Sequence, residues 1–562
     1  MKKFALALGL LALVACARPV APEGGPKDTT PPKLVSEKST PNLSTRFSAR
    51  SFQLTFDEWV SLKDVGAQVL VSPPLAKRPE VTLKGRTVTF KLDKDEVLRP
   101  NTTYTVNFGT AVKDLHEDNP AKDLRFVFST GDAIDSLTLS GVVIDAFTGE
   151  PLENISVLLY DSFADSTVLK DRPYYVARSD KSGQFSIPNV RAGTFRCIAI
   201  DDATPNLRWD DTERIGFPDS LVQISDSLSS LPAIRLFSPT PALRLRTRQV
   251  NYYGRIALGF SARPDTVAVR AEGPAGLRWL REQEQDSLLV WYDLADSTGW
   301  TLLAGADTVA VRPLPRLAFL ETARLRFADE TTAAPGASGR RGRSQPDQAP
   351  PTAALPPPRT VTVAPFQPVA LDFNHPVVRV DTALCRLTVD SAAFHAFDFR
   401  LDSARPRSLE LLLNWQFGKK YRLQFLPGAL TDFFGITNTD TLQRNFQVPE
   451  EKQLGDLKLS LEGLEPGAAY LLQLISNNKL ETERFFTADS SAAVQFVFQK
   501  LQPLPYTVQL IADRNENRRW DPGDFFTRMQ PEAVFIKKLD PLRANWEVEA
   551  SLKAQTDSGR RE

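Results

Sequence analysis

Asp180-Lys-Ser-Gly183-Gln-Phe185-Ser-Ile187-Pro-Asn-Val190-Arg-Ala-Gly193-Thr-Phe195 is the stretch that decides how this chain folds. Asp180 to Gly183 has the composition of a tight turn, after which Phe185 and Ile187 alternate with polar residues and face one side of a strand. Gly193 permits a second turn before the next strand. The stretch leads into an acidic loop, Asp202-Ala-Thr204-Pro-Asn206-Leu-Arg208-Trp209-Asp210, with Glu213 three residues on. The same succession returns at an offset of 513 − 202 = 311. Phe185, Ile187, Val190 and Phe195 meet Phe496, Phe498, Leu501 and Tyr506. The loop returns as Asp513-Arg-Asn515-Glu-Asn517-Arg-Arg519-Trp520-Asp521, with Asp524 three residues on. An ungapped match of alternation, aromatic position and carboxylate spacing marks a duplicated β unit.

A second pair of echoes stands outside the first. Leu54-Thr-Phe56-Asp-Glu-Trp-Val60 matches Leu371-Asp-Phe373-Asn-His-Pro-Val377 at 373 − 56 = 317. Tyr104-Thr-Val106-Asn-Phe108 matches Tyr421-Arg-Leu423-Gln-Phe425 at the same offset, since 421 − 104 = 317. Short runs of period-two alternation, separated by Pro73-Pro74, Lys84-Gly85 and Asp118-Asn119-Pro120, predict strands joined by turns. Phe56-Asp57-Glu58-Trp59-Val60 followed by Tyr104-Thr105-Val106 resembles the bacterial Ig-like domains of the S-layer type. Gly141-Val-Val-Ile-Asp145-Ala-Phe-Thr-Gly149-Glu-Pro151-Leu-Glu-Asn-Ile155-Ser-Val157, with the stretch from Ser179 to Phe195, is similar to the carboxypeptidase regulatory-like, transthyretin-like sandwich. That resemblance implies a scaffold, because in its family the domain accompanies enzymes and transporters without being catalytic. The later copy lacks the Gly-x-x-x-Asp-x-x-x-Gly opening.

The expected architecture is therefore all-β, with tandem Ig-like and transthyretin-like sandwiches in an elongated chain. It comprises a signal peptide (1–15), a Pro/Gly-rich tether (16–32), an Ig-like domain (33–131) and a regulatory-like sandwich (135–237). An unclassified β region follows (238–327), then a disordered linker or loop insert (328–358), a second Ig-like domain (359–448), a second regulatory-like domain (454–552) and a polar tail (553–562). The linker is rich in Ala, Pro, Gly and Ser, a composition that cannot bury a core.

The first residues carry an address. Lys2 and Lys3 precede an apolar run, Phe4 to Val14, too short to span a bilayer as a mature helix. It ends in Leu13-Val14-Ala15-Cys16, which resembles the bacterial lipobox. That resemblance implies cleavage before Cys16 and acylation of its thiol and new amino group. At about 0.8 kcal/mol per buried methylene, two or three acyl chains hold a protein firmly on a membrane. The expected location is the envelope of a Gram-negative bacterium, lipid-anchored at the outer membrane. Ala17-Arg18-Pro19 carries no acidic run of the kind associated with surface export, which favours the periplasmic face. Cys197 and Cys385 read as single strand residues in different domains, so no disulfide is expected.

Charge excludes one partner class. Lys+Arg 68 against Asp+Glu 68 leaves a formal net charge of +0, so no basic field exists to recruit nucleic acid. The acidic loops are candidate calcium sites, because calcium loops draw ligands from positions 1, 3, 5, 7 (a carbonyl), 9 and 12. Asp202, Thr204, Asn206, the Arg208 carbonyl, Asp210 and Glu213 fit that register, as do Asp513, Asn515, Asn517, the Arg519 carbonyl, Asp521 and Asp524. Leu207 and Arg518 stand where a glycine is expected at position 6. The competing reading is a hairpin connection in which Asp and Asn cap their own backbone, lidded by the two tryptophans. Trp59, Trp209 and Trp520 are the candidate binding aromatics, since such rings stack on sugars and anchor interfaces. His116, His375 and His395 stand apart in no metal-ligand spacing, and no nucleophile elbow or phosphate loop is present. The reading is a non-catalytic, membrane-tethered binding protein for an envelope protein or glycan, or else a passive envelope spacer. An accessory subunit of an envelope enzyme or transport complex is the third.

Overall fold

The computed structural model describes residues 28–225, 230–330, 359–363, 365 and 368–554. The signal segment, Cys16, the tether before residue 28, residues 331–358 of the linker and the tail after residue 554 lie outside the described residues. The chain is all-β, and its longest described helix, Arg316–Thr322, has 7 residues. Among the described residues no helix is long and apolar enough to cross a membrane. The chain divides into two compact units, Met1–Asp145 with Glu150–Phe237, and Ala146–Gly149 with Ser238–Glu562.

The first unit holds two sandwiches. In the first, Ser51–Thr55, Thr87–Lys91 and Glu80–Lys84 form one antiparallel sheet, and Leu70–Ser72, Thr103–Asn107 and Arg125–Ser129 form the other. The register pairs Phe52 with Phe90 and Leu54 with Val88, so alternation delivers every large side chain to one face. Phe52, Phe90, Phe108 and Phe126 meet there in a buried cluster. The Tyr104 hydroxyl accepts a hydrogen bond from the Arg99 backbone N–H at 2.8 Å and pins the corner before its strand.

The second sandwich is built on Leu137–Asp145, which pairs antiparallel with Gln184–Val190 and parallel with Ile234–Leu236. Its other sheet orders Tyr175–Arg178, Ser156–Tyr160, Gly193–Ile200 and Ile215–Gly216. Phe185, Ile187, Val190 and Phe195 all enter the core, as their spacing predicts. At about 1.5–3 kcal/mol for each fully buried large apolar side chain, this face rather than any cross-link holds the sheets together. Cys197 sits on the same core face as Phe195, because residues two apart on a strand point the same way. Both described cysteines are buried free thiols, pushed up to about 12 by burial.

In the second unit, the region after residue 238 forms a further two-sheet core. Leu245–Tyr252, Arg255–Phe260, Ser287–Asp293 and Arg278–Glu284 make one sheet; Val269–Glu272, Trp300–Ala304 and Asp307–Val311 make the other. Its core also takes Phe433 and Phe434 from the Ig-like sandwich that follows. That sandwich sets Thr360–Thr362, Leu442–Gln447, Lys420–Phe425, Cys385–Val389 and Ala392–Phe394 against Val369–Asp372, Ser408–Leu413 and Phe397–Leu401. The Tyr421 hydroxyl accepts from the Gln416 N–H at 2.7 Å, which repeats the Arg99–Tyr104 corner at 416 − 99 = 317. Leu325 and Phe327 pack into this core, and Asp329 receives the buried Arg444. Residues 328–330 are thus part of the fold rather than linker.

The last sandwich repeats the second. Gly455–Glu462 lies between antiparallel Ala493–Leu501 and parallel Glu547–Lys553, and the facing sheet orders Lys479–Thr487, Ala469–Ser476, Thr507–Ala512 and Val534–Lys538. The missing glycine opening is explained by side-chain volume. A Cβ on Gly141 would lie 2.8 Å from the Phe185 ring, whereas Leu459, the residue paired with Phe496, leaves that ring only partly buried.

Candidate functional site

Each acidic loop follows a core strand, Gly193–Ile200 in the first copy and Thr507–Ala512 in the second. In the second loop, Asp513 is fully buried and its two oxygens accept from the Asn517 and Arg518 N–H groups at 3.1 and 2.7 Å. The Asn515 and Asn517 side-chain amides both donate to Asp521 Oδ2, at 2.6 and 2.7 Å. The first loop does the same with poorer groups. Asp202 accepts from the Asn206 and Leu207 N–H groups, while Thr204 Oγ1 and Asn206 Nδ2 donate to Asp210 Oδ2 at 3.1 and 3.4 Å. Leu207 and Arg518 adopt φ of 57° and 60°, so the left-handed turn expected of a glycine at position 6 forms without one.

The twelfth position is where the structure departs from the sequence register. Glu213 accepts from the Ala203 and Asp210 N–H groups, and its backbone carbonyl accepts from Trp209 Nε1 at 3.0 Å. In the second loop these three bonds are made by Glu532: its side chain accepts from the Arg514 and Asp521 N–H groups, and its carbonyl from Trp520 Nε1 at 3.0 Å. The partner of Glu213 is therefore Glu532, not Asp524. The offset has grown to 532 − 213 = 319, eight residues beyond 311. Asp524 instead turns the inserted segment, accepting from the Thr527 N–H and exchanging backbone hydrogen bonds with Met529. An insertion between position 9 and the carboxylate breaks ungapped counting, and only spatial pairing reveals the equivalence.

Burial pushes the Glu213 and Glu532 carboxyls above their ordinary range, outweighing the backbone N–H groups that each accepts. Among the described residues no three His, Cys, Asp or Glu side chains are grouped to hold a metal ion. What converges in each loop is one carboxylate oxygen with two amides, or with an amide and a hydroxyl.

The three candidate tryptophans separate by exposure. Trp209 is 3% exposed and Trp520 half-buried, each tied through its indole N–H, so both act as lids on their loops and Trp209 offers no platform. Trp59 is 60% exposed, immediately before the short strand Val60–Leu62 and beside the Gly85 turn. His375 is not a solvated turn residue. It is buried, with Nδ1 2.8 Å from buried Asp432. Asp432 in turn accepts from the Phe434 and Ile436 N–H groups, so the pair pins the turn that carries Phe433 and Phe434. His116 and His395 are exposed.

Residues 28–130 match the family model of the bacterial Ig-like domain, and the described remainder is built of β-sandwiches. The chain thus carries a match to the bacterial Ig-like domain over residues 28–130, within a tandem β-sandwich architecture. Similar solved structures include the major pilin subunit of Bacillus cereus, at 7% identity over 75% of this chain and 99% of that one, with a TM-score of 0.13. A DUF3823 family protein from Parabacteroides merdae is 13% identical over 32% of this chain and 82% of its own, with a TM-score of 0.13. A Bacteroides ovatus protein of the mixed-linkage glucan utilization locus, solved with a mixed-linkage heptasaccharide, is 8% identical over 66% and 89%, with a TM-score of 0.16. At such scores these likenesses say nothing about function. No curated protein matches the chain.

Proposed function

We propose that the chain is a non-catalytic, modular binding protein of the bacterial cell envelope, tethered by lipid on Cys16, that uses Trp59 to engage an envelope glycan or protein. The observation that carries the reading is the exposure of Trp59, whose indole stands 60% in solvent outside the sandwich's buried core cluster. The test is capture of envelope glycans and proteins by the full chain, with Trp59→Ala as control. Partners retained undiminished by Trp59→Ala would count against this contact. Palmitate labelling lost in Cys16→Ser tests the tether.

One observation favours the spacer reading beside it. Arg407 of the second Ig-like sandwich pairs with buried Glu282 of the preceding sandwich, and Phe434 packs on Tyr253 and Trp291. A junction of this kind resists bending between its two sandwiches.

The loops brace their sandwiches, and calcium is the ion proposed for them. It would be held by Asp513, Asn515, Asn517 and Asp521 in the second loop, with the two amides turned from donating to Asp521 to presenting oxygen. The first loop, with Thr204 and Pro205, offers the weaker set. Calcium should raise the melting temperature of the wild type and leave Asp521→Ala unmoved. An unmoved wild type leaves the hydrogen-bonded brace alone.

A further inference from the structure

We infer that a groove in the first compact unit binds a carboxylate-bearing oligosaccharide, with the carboxylate seated on Arg178. The inference rests on the reading of the chain as a binding protein and supplies its ligand class. The groove encloses about 760 Å³, within the usual range of ligand sites. It lies between two loops of the Ig-like sandwich, around Asn107 and Lys122, and the strands Leu137–Asp145 and Gln184–Val190 of the next one. Asn107, Thr110, Ser140, Gln184 and Ser186 line it with amides and hydroxyls, a surface suited to a hydroxyl-rich ligand rather than an apolar one.

The charged lining residues balance, Lys122 and Arg178 against Asp123 and Asp180, and Arg178 is the one left with an unmet donor. Its Nε is buried without a hydrogen-bond partner, and among the described residues its guanidinium forms no ion pair. Native structures rarely leave such a group unmet unless a water, ion or ligand completes it. The other charged groups of the lining do not complete it. Lys122 and Asp123 are exposed, and Asp180 spends an oxygen on its own turn, accepting from Ser182 and the Gln184 N–H. A planar guanidinium fork matches a carboxylate in bidentate geometry, and the flanking amides and hydroxyls can meet the hydroxyls of adjoining sugar rings.

Titration calorimetry of the full chain with hexagalacturonate, neutral maltohexaose and a hexaglutamate peptide tests this. Hexagalacturonate should bind at least tenfold more tightly than either of the others. Arg178→Gln should weaken it at least tenfold without lowering the melting temperature, since the arginine has no pair to lose. Trp546→Ala, an exposed indole outside this unit, should leave it unchanged; weakening by Trp59→Ala but not by Arg178→Gln would overturn the groove and keep the broader binding reading. No binding of hexagalacturonate, equal binding of maltohexaose, or tighter binding of the peptide overturns the saccharide assignment. Should Arg178→Gln unfold the protein, Ser186→Trp blocks the groove from an exposed strand position, and undiminished binding in that variant also overturns it.

Discussion

Asp521 shows how one side chain can organise a loop. Its Oδ2 is the common acceptor of the Asn515 and Asn517 amides, so Asp521→Ala strands two donors at once. We expect a loss of about 1–3 kcal/mol in denaturant unfolding, and less from Asp210→Ala, whose donors sit farther off at 3.1 and 3.4 Å. Glu532 governs a pH dependence of opposite sense to that of a paired aspartate. Its folded-state pKa is raised above the ordinary 4.5 chiefly by burial, so the folded chain keeps this proton to higher pH than the unfolded chain does. Its contribution is fullest below about 4.5 and is lost as pH rises through the raised value. The stability difference between wild type and Glu532→Gln, followed from pH 4 upward, should therefore move against the wild type across that window; a flat difference would refute the assignment. The sequence displayed the ligand-like spacing of Asp513, Asn515, Asn517 and Asp521, but not Glu532, because an eight-residue insertion separates it from its counterpart.

Period-two alternation is read correctly wherever one face of a strand is buried. Phe52, Leu54 and Phe56, or Leu457, Leu459 and Leu461, could be assigned to a core from spacing alone. What alternation cannot supply is which strand lies alongside which. The parallel partner of Leu137–Asp145 comes from Ile234–Leu236, at the far end of the sandwich, and Glu547–Lys553 does the same for Gly455–Glu462. The glycine at position 141 is intelligible only from that packing. Gly141→Ala should cost about 1–3 kcal/mol, because the added methyl meets the Phe185 ring at 2.8 Å. Chemical denaturation reads this directly, and an unaffected midpoint would show that the ring can give way.

At the scale of the whole molecule, duplication and junctions answer different questions. Within the second unit, Arg407 reaches Glu282 and Glu284 from another sandwich, and Glu282 also accepts from the Trp291 indole N–H. Removing one partner of a buried pair leaves the other uncompensated, at about 3 kcal/mol or more. Arg407→Ala should therefore separate a joint calorimetric transition of these two sandwiches into two, whereas a single unshifted transition would deny the coupling. The sequence by itself determined the all-β class, the repeats at 311 and 317 and most of the core, because alternation, turn residues and duplicated spacing are local properties of a chain. Only the tertiary structure decided that Trp209 is a lid and Trp59 is exposed, that His375 is buried on Asp432, that Glu532 replaces Asp524, and that Arg178 faces a groove. Exposure, pairing and unmet charge depend on what the rest of the fold brings alongside a residue, and no spacing along the chain encodes that.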